Sequence, residues 1–468
     1  MKHLTLKEVA QAVGGTLNNP SFANRQISGF SVDSREELDG KLFIPLRGQR
    51  VDGHSFLTMA FEKNAVCCLS EHPHGTLPVI LVDSTEAALM GLAAYYKGLF
   101  NVKTVGITGS VGKTITKDIV ASVLSQRFRV LKTQGNFNNQ IGLPLTVFKL
   151  DETHEYAVLE MGMNHRGEID QLSRAGKPDY AIITNIGVAH IENLGSQEGI
   201  FEAKCEIFNG LHPNGIAVLN GDDPFLTTVK LRQNILYYGI RAEHNMVFAD
   251  RIQPQGLNAV TCRIHIKMHP KSVFDVTIPA PGKHMVSNVL AATAIGHLAG
   301  MSWQEIKRGI ENLQLTKMRM DISHESNFTI INDAYNASPT SMKAALDVLA
   351  ESPGPGRKVA ILGDMFELGH ASAAFHEDVG LYAAQSRNNV LVFVGELSHV
   401  AYLAARDHIR DNKQHFAHRI VYYFKTQEEL AQQFDTIFLK DDTILLKASR
   451  GMEFEKTAQQ LKDYDTRK

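Results

Sequence analysis

Apolar and polar positions change rhythm along the chain, and each rhythm marks an element. Leu6, Val9, Ala10 and Val13 share one helical face behind the capping box Thr5-Leu6-Lys7-Glu8, and Gly14-Gly15 stops the run, so the chain is expected to open with a helix. Short β-like runs at 42–46 and 79–82 follow between Gly- and Asp-rich turns, then a helical stretch at 87–99. From 104 onward, apolar strands at 104–108, 156–159, 180–184 and 216–219 are each followed by a helical stretch, the pattern of a doubly wound parallel sheet. Val260, Cys262, Ile264, Ile266 and Met268 then alternate strictly with Thr261, Arg263, His265 and Lys267, and Phe274, Val276 and Ile278 alternate again. This predicts an inserted antiparallel ribbon with one solvated face. Ser302-Trp303-Gln304-Glu305 is a second capping box, and its helix is expected to end near Leu313. Strands at 328–332, 358–362, 390–394, 420–424 and 443–447 predict a C-terminal Rossmann-like unit. Several of them end in polar residues, namely Asp333, Asp364, Glu396, and Ser449 with Arg450, at the edge where open α/β sheets bind ligands.

The expected fold class is therefore α/β in three domains: 1–100, 101–314 with a central doubly wound sheet and the ribbon, and 315–468. Length agrees, since 468 residues at about 100–200 per domain suggest roughly three. The chain carries 48 Lys+Arg against 50 Asp+Glu, a net charge of −2, and no block of like charges, so neither nucleic acid nor an anionic membrane is expected as a partner. Four cysteines without a CxxC pair are too few for a disulfide scaffold, which points to a reducing cytoplasm. The N-terminus lacks a signal-peptide pattern, and no window approaches the roughly 18 consecutive apolar residues of a membrane span.

The strongest local signal is Thr108-Gly109-Ser110-Val111-Gly112-Lys113-Thr114, between an apolar strand and a helix carrying Ile115, Ile119, Val120, Val123 and Leu124. Strand, glycine loop, Lys-Thr and helix form a P-loop context. Glycines let backbone N–H groups close around phosphate oxygens, Lys113 meets the β/γ-phosphates, and the Thr114 hydroxyl can ligate Mg²⁺. The strict GxxxxGK[ST] form fails because Ile107 stands where its first glycine belongs. Glu160 ends the next apolar strand, where it could ligate Mg²⁺ or equally be a solvated strand-end acid. On the residues alone, His190 reads as a structural histidine and Lys204 as a solvated helix lysine. Ser338-Pro339 is an N-cap followed by Pro at the first helical position, starting a helix with Met342, Ala345, Leu346 and Leu349.

In combination these segments resemble a family. Thr108 to Thr114, Gly135-Asn136-Phe137-Asn138-Asn139, Glu160-Met161-Gly162, Thr184-Asn185 through His190, Ala203-Lys204-Cys205-Glu206, Asn220-Gly221-Asp222-Asp223 and His284 through Asn288 stand in the order found in the Mur ligases, ATP-dependent amide-forming enzymes of peptidoglycan precursor synthesis. Asp333-Ala334-Tyr335-Asn336-Ala337-Ser338-Pro339-Thr340-Ser341-Met342 and Leu362-Gly363-Asp364-Met365-Phe366-Glu367-Leu368-Gly369 are similar to the branch that adds D-alanyl-D-alanine to UDP-N-acetylmuramoyl tripeptide.

The resemblance implies that reaction, through an acyl phosphate, with ATP and Mg²⁺ as cofactors and a carbamate on Lys204; a cytoplasmic location and a monomer are expected beside it. It implies catalytic roles for Lys113, Lys204, His190 and Asp333, and nucleotide contacts from Gly109, Ser110, Val111, Gly112, Lys113, Thr114, His284, Asn288, Arg319 and Asp333. The implied metal ligands are Thr114, Glu160, His190 and carbamylated Lys204. Substrate contacts are implied for Ser34, Arg35, Asp52, His54, Asn138, Asn139, Tyr335, Asn336 and Arg450, with the first domain holding the UDP-sugar, the second ATP and the third the dipeptide. A hinge is expected near Leu315. Two positions depart from the family pattern: Met285 follows His284 where Asn is usual, and Ala448 interrupts the usual Lys-Gly-Ser-Arg. The alternatives are another Mur-type ligase adding a single amino acid, a folate-polyglutamylating ligase, a GTPase-type switch, which would need an NKxD motif absent here, and a scaffold with a relict nucleotide fold.

Overall fold

The structure is a computed structural model describing residues 2–466 except 49, 317 and 417. The N-terminal helix Leu6–Val13 begins at Thr5, whose side chain caps Glu8 N–H while Glu8 caps Thr5 in return, and it ends on Gly14 in the left-handed region at φ 63°. It packs with helix Thr85–Gly98 on a five-stranded sheet ordered Thr16–Leu17, Val79–Leu81, Cys67–Ser70, Lys41–Phe43, Gly29–Ser31, parallel but for its first pair. Tyr96 of the second helix donates to the Leu150 carbonyl at 3.2 Å, and Phe30 stacks on Phe148 at 4.0 Å, so the apolar core runs without a break into the central part of the chain.

The central sheet has nine strands. Val130–Lys132, Tyr156–Glu160, Lys103–Thr108, Tyr180–Ile183, Ile216–Asn220 and Asn234–Gly239 lie side by side and parallel. Helices Lys113–Leu124, His284–Leu298 and Trp303–Glu311 cover one face, and Gly142–Val147, Glu168–Gly176 and Gln197–Cys205 the other. Burial on both faces is why the inner strands Tyr156–Glu160, Lys103–Thr108, Tyr180–Ile183 and Ile216–Asn220 read as continuous apolar runs rather than alternating ones.

The ribbon has a third strand that its alternation did not announce. Val247–Gln255 pairs parallel with Asn234–Gly239 on one side and antiparallel with Ala259–Ile266 on the other, which pairs with Ser272–Ile278, so the ribbon extends the central sheet. Its register shifts between Asp250 and Gln253, next to Pro254, and this bulge hides the period-two pattern. The alternation beyond it is real: Val260, Cys262, Ile264 and Ile266 face the helices, while Arg263 crosses to Asp275 at 2.7 Å on the wet side. The strand stops at Ile266, short of Met268.

The C-terminal sheet is ordered Asp321–His324, Phe328–Asn332, Asp442–Lys447, Lys358–Gly363, Val390–Val394, Ile420–Phe424, parallel after its antiparallel first pair. Helices Pro339–Glu351, Ser372–Gln385 and Ser398–Asp411 cover one face. The segments carrying Leu430, Phe434, Phe454 and Leu461 cover the other. Leu257, in the turn of the central ribbon, is buried in this C-terminal core. Among the described residues no helix is long and apolar enough to cross a membrane, and all four cysteines are free thiols.

Candidate active site

Strand Lys103–Thr108 delivers the chain to the carboxyl edge of the central sheet, where it turns through Gly109 (φ 148°) and Gly112 (φ 88°) into helix Lys113–Leu124. A Cβ on Gly109 would lie 1.9 Å from Thr184 Oγ1, and one on Gly112 2.7 Å from Asn288 Oδ1, so neither position has room for a side chain. The neighbouring strand end shapes the loop. Asn185 accepts the Ser110 N–H through its carbonyl and the Val111 N–H through its side chain, both at 3.0 Å, and its amide group donates to the Val111 carbonyl at 2.9 Å. Thr184 Oγ1 donates to the same carbonyl at 2.6 Å. Lys113 Nζ folds back onto the Gly109 carbonyl at 2.7 Å; burial pushes its ammonium down, with Glu160 opposing. A glycine loop entering a helix N-terminus is a phosphate cradle.

Beside the loop, Glu160 is 2% exposed at the end of strand Tyr156–Glu160. Its Oε1 accepts from Asn138 Nδ2 at 2.8 Å, while Oε2 is buried without a hydrogen-bond partner. Lys204, on helix Gln197–Cys205, is 1% exposed, and no carboxylate pairs with it among the described residues. Burial, and secondarily the charge of Lys113, hold its ammonium well below the usual lysine range. His190 stands in the left-handed region (φ 67°) with Nδ1 2.5 Å from Glu367 Oε2 of the C-terminal unit. Among the described residues no three His, Cys, Asp or Glu side chains converge, so Glu160 and His190 alone do not make a metal cage.

The C-terminal unit completes the cleft. Arg319 donates from Nη2 to Thr114 Oγ1 at 3.0 Å and lies over the Tyr335 ring at 4.2 Å, with Nε buried and unpartnered. Asp333 directly follows strand Phe328–Asn332; its carboxylate accepts from the Met320 N–H at 3.2 Å and pairs with Lys447 at 2.5 Å. Lys447 also donates to the Asn336 carbonyl at 3.1 Å. Together with Ser110 to Thr114, His284 and Asn288, Arg319, Asp333, Asn336 and Lys447 wall a cleft of about 300 Å³. Burial lowers the affinity of His284 for a proton, and Asn288 Oδ1 accepts from the Thr116 hydroxyl at 3.1 Å. Arg450 is not among the lining residues; it pairs with Glu455 at 2.8 Å and lies 6.0 Å from the Tyr335 ring.

The candidate residues of the first unit form two local clusters. Asp33 takes a forked contact from Arg35, with Nε at 2.9 Å and Nη2 at 2.7 Å, which holds the Asp33 carboxyl at about 2. Lys63 ties the same turn by donating to the Ser34 and Arg35 carbonyls at 2.9 Å. Asp52 accepts the His54 N–H at 2.9 Å and lies 2.7 Å from its Nδ1. Among the described residues, no hydrogen bond or ion pair joins these clusters to the cleft. Asn139 Oδ1 caps the helix Gly142–Val147 by accepting the Gly142 N–H at 2.8 Å, and Asn139 also lines a second cavity of about 800 Å³ between helices Thr85–Gly98 and Glu168–Gly176.

The Mur ligase middle-domain model matches residues 107–296, and the Mur ligase glutamate-ligase-domain model matches 318–450. The chain belongs to the Mur ligase family. Over 462 residues this Mur ligase is 41% identical to a UDP-N-acetylmuramoyl-tripeptide–D-alanyl-D-alanine ligase of Bacillus subtilis, covering 98% of each chain. It superposes on a crystal structure of MurF from Acinetobacter baumannii with a TM-score of 0.90, at 31% identity and 99% coverage of both chains. It also superposes on the MurF ligase of Thermotoga maritima in complex with ADP, with a TM-score of 0.82 at 27% identity, covering 94% of this chain and 98% of that one.

Within this Mur ligase the two departures from the usual pattern are apolar and fully buried. Met285 packs in the layer between the central sheet and its helices, and Ala448 lies against Gly363 in the C-terminal core. Sequence reasoning named Asn185 and Glu367 only as parts of motifs and did not single out Asp118 or Thr316. The role of each depends on a partner contributed by a distant segment.

Proposed function

We propose that this Mur ligase joins D-alanyl-D-alanine to UDP-N-acetylmuramoyl tripeptide at the expense of ATP, with residues 1–100 serving the UDP-sugar, 101–314 ATP and 315–468 the dipeptide. The near full-length likeness to ligases of that name supports the substrate assignment. The observation that carries the chemistry is that Arg319, from beyond the central sheet, reaches the P-loop threonine at 3.0 Å, so the nucleotide cleft is assembled by two parts of the chain. All of these residues come from one chain, which makes a monomer sufficient. ATP use and four free thiols accord with a cytoplasmic enzyme.

A carboxylate and an amine do not condense in neutral water, because the carboxylate is a poor electrophile and hydroxide a poor leaving group. In the proposed mechanism the tripeptide carboxylate oxygen attacks the γ-phosphorus, breaking its bond to the β,γ-bridging oxygen, to give ADP and an acyl phosphate. Lys113 and the loop amides hold the β- and γ-phosphates, and Arg319 adds positive charge where negative charge develops. The free amine of D-alanyl-D-alanine then attacks the acyl carbon, the tetrahedral intermediate expels phosphate, and the amine loses its proton. The cover supplied by Arg319, Tyr335 and Asp333 keeps water from the acyl phosphate.

The buried, unpartnered Glu160 Oε2 fits an oxygen ligand for Mg²⁺. Thr114, Glu160, His190 and Lys204 would hold it, Lys204 as a carbamate, and it would supply charge neutralisation to the phosphates. Lys204 suits that modification: a buried amine without a counter-ion is biased toward its neutral, nucleophilic form, which can add to CO₂ with loss of a proton.

Phosphate release from Mg·ATP with UDP-N-acetylmuramoyl tripeptide, comparing D-alanyl-D-alanine with single amino acids and glutamate, tests the reading. Release together with a pentapeptide product mass is expected only with D-alanyl-D-alanine. Turnover with another amine would overturn the assignment of the third domain.

A further inference from the structure

Helix Lys113–Leu124 carries a carboxylate that the mechanism leaves unused. Asp118 is 2% exposed, one helical turn beyond Thr114 on the same face. Its Oδ1 lies 2.8 Å from Lys132 Nζ and 3.3 Å from the fully buried Lys117 Nζ. Its Oδ2 accepts both the N–H of Thr316, at 3.2 Å, and the Thr316 hydroxyl, at 2.6 Å. Thr316 belongs to the segment joining the central unit to the C-terminal one. Three residues later on that segment, Arg319 donates to Thr114 Oγ1. Asp118 and Thr114 thus each receive a hydrogen-bonding side chain from the same linker.

We infer that the Asp118–Thr316 contact is a positioning device for the ligase reaction: by pinning the linker to the P-loop helix, it sets Arg319 over Thr114 and so over the nucleotide. The inference rests on the proposed placement of Arg319 at ATP. A linker free to pivot would have to hold a long, flexible guanidinium over one hydroxyl, at a cost in conformational freedom. Two hydrogen bonds to one ionised carboxylate remove that freedom close to Arg319, and charge-assisted bonds of this kind are the strong ones. Burial works against the charge of Asp118, but Lys117, Lys132 and the Thr316 hydrogen bond together outweigh it and hold the carboxyl below the usual aspartate range.

The test is a double-mutant cycle on the full-length enzyme, read as kcat and KM for ATP in the complete reaction. Thr316→Val keeps the shape and removes the hydroxyl donor; Thr316→Ser retains the donor. Loss of one hydrogen bond to a charged group is expected to lower kcat about tenfold in Thr316→Val, with KM for ATP changed less than about twofold. Thr316→Ser should restore kcat to within about threefold of the starting enzyme, since its hydroxyl makes the same bond. In an Arg319→Ala background, Thr316→Val should change kcat by less than about twofold, because the group it positions is gone. Equal loss in both backgrounds overturns this inference and leaves the proposed mechanism standing. An Arg319→Ala enzyme with full kcat overturns the placement of Arg319 at the nucleotide, and this inference with it.

Discussion

Glu367 Oε2 lies 2.5 Å from His190 Nδ1, so the loop after strand Lys358–Gly363 touches the helix-capping histidine of the central unit. The backbone reinforces the contact, with the Glu192 N–H donating to the Glu367 carbonyl at 3.3 Å. The imidazole in turn holds the Glu367 carboxyl below the usual glutamate range. A carboxylate on Nδ1 fixes the imidazole orientation and leaves Nε2 for a ligand.

Glu367→Ala is therefore expected to raise the Mg²⁺ concentration needed for half-maximal phosphate release by about 10-fold or more, the usual loss when such a supporting carboxylate is removed. A Mg²⁺ titration at saturating ATP reads the effect directly.

Gly112→Ala should abolish nucleotide binding while leaving the chain folded. Its φ of 88° is unfavourable for any L side chain, and the new Cβ would lie 2.7 Å from Asn288 Oδ1. Calorimetric titration with ADP, beside a circular dichroism spectrum, separates lost binding from lost fold.

Lys204→Met should separate stability from activity. Replacing a buried, unpaired amine with an apolar chain of similar length is expected to stabilise the protein by about 1–3 kcal/mol in CO₂-free buffer, as measured by urea unfolding. Turnover should disappear. In Lys204→Ala, added short-chain carboxylic acid should restore part of it by standing in for the carbamate, and failure of any loss would remove Lys204 from the proposed metal site.

Asp118 predicts a pH dependence. Its folded pKa lies below the unfolded value of about 3.9, so the stability it contributes is fully present above roughly pH 4 and is lost as pH falls through the folded value. Asp118→Asn leaves Lys117 buried without a counter-ion and should cost about 3–5 kcal/mol at pH 7. The gap between the two proteins should narrow in acid, as urea titrations from pH 7 downward would read.

The elements themselves were legible because their signals are local. Thr5 with Glu8 and Ser302 with Glu305 are three residues apart, and both pairs form the reciprocal hydrogen bonds that their spacing predicts. The P-loop glycines were legible for the same reason, since close approach of backbone to phosphate demands glycine wherever the loop sits. Strand Val247–Gln255 escaped because a bulge breaks its period. Asp321–His324 escaped because it is a short edge strand without a buried residue.

On sequence alone Glu160 was left between a metal ligand and a solvated acid, while His190 read as structural and Lys204 as solvated. The burial of Glu160 and Lys204 and their shared neighbourhood with Lys113, like the meeting of His190 with Glu367, come from strands and helices packed around one sheet edge.

By itself, then, the sequence determined the alternation of strands and helices, the phosphate loop and, through the order of its motifs, the family. Tertiary structure alone decided that Asp118 meets Thr316 across 198 positions of chain, that Arg319 reaches Thr114 across 205, and that Glu367 meets His190. Caps, turns and periodicities are set within a few residues by backbone geometry. Contacts between distant side chains exist only once packing has overcome the entropy of bringing those segments together, and no spacing in the chain encodes them.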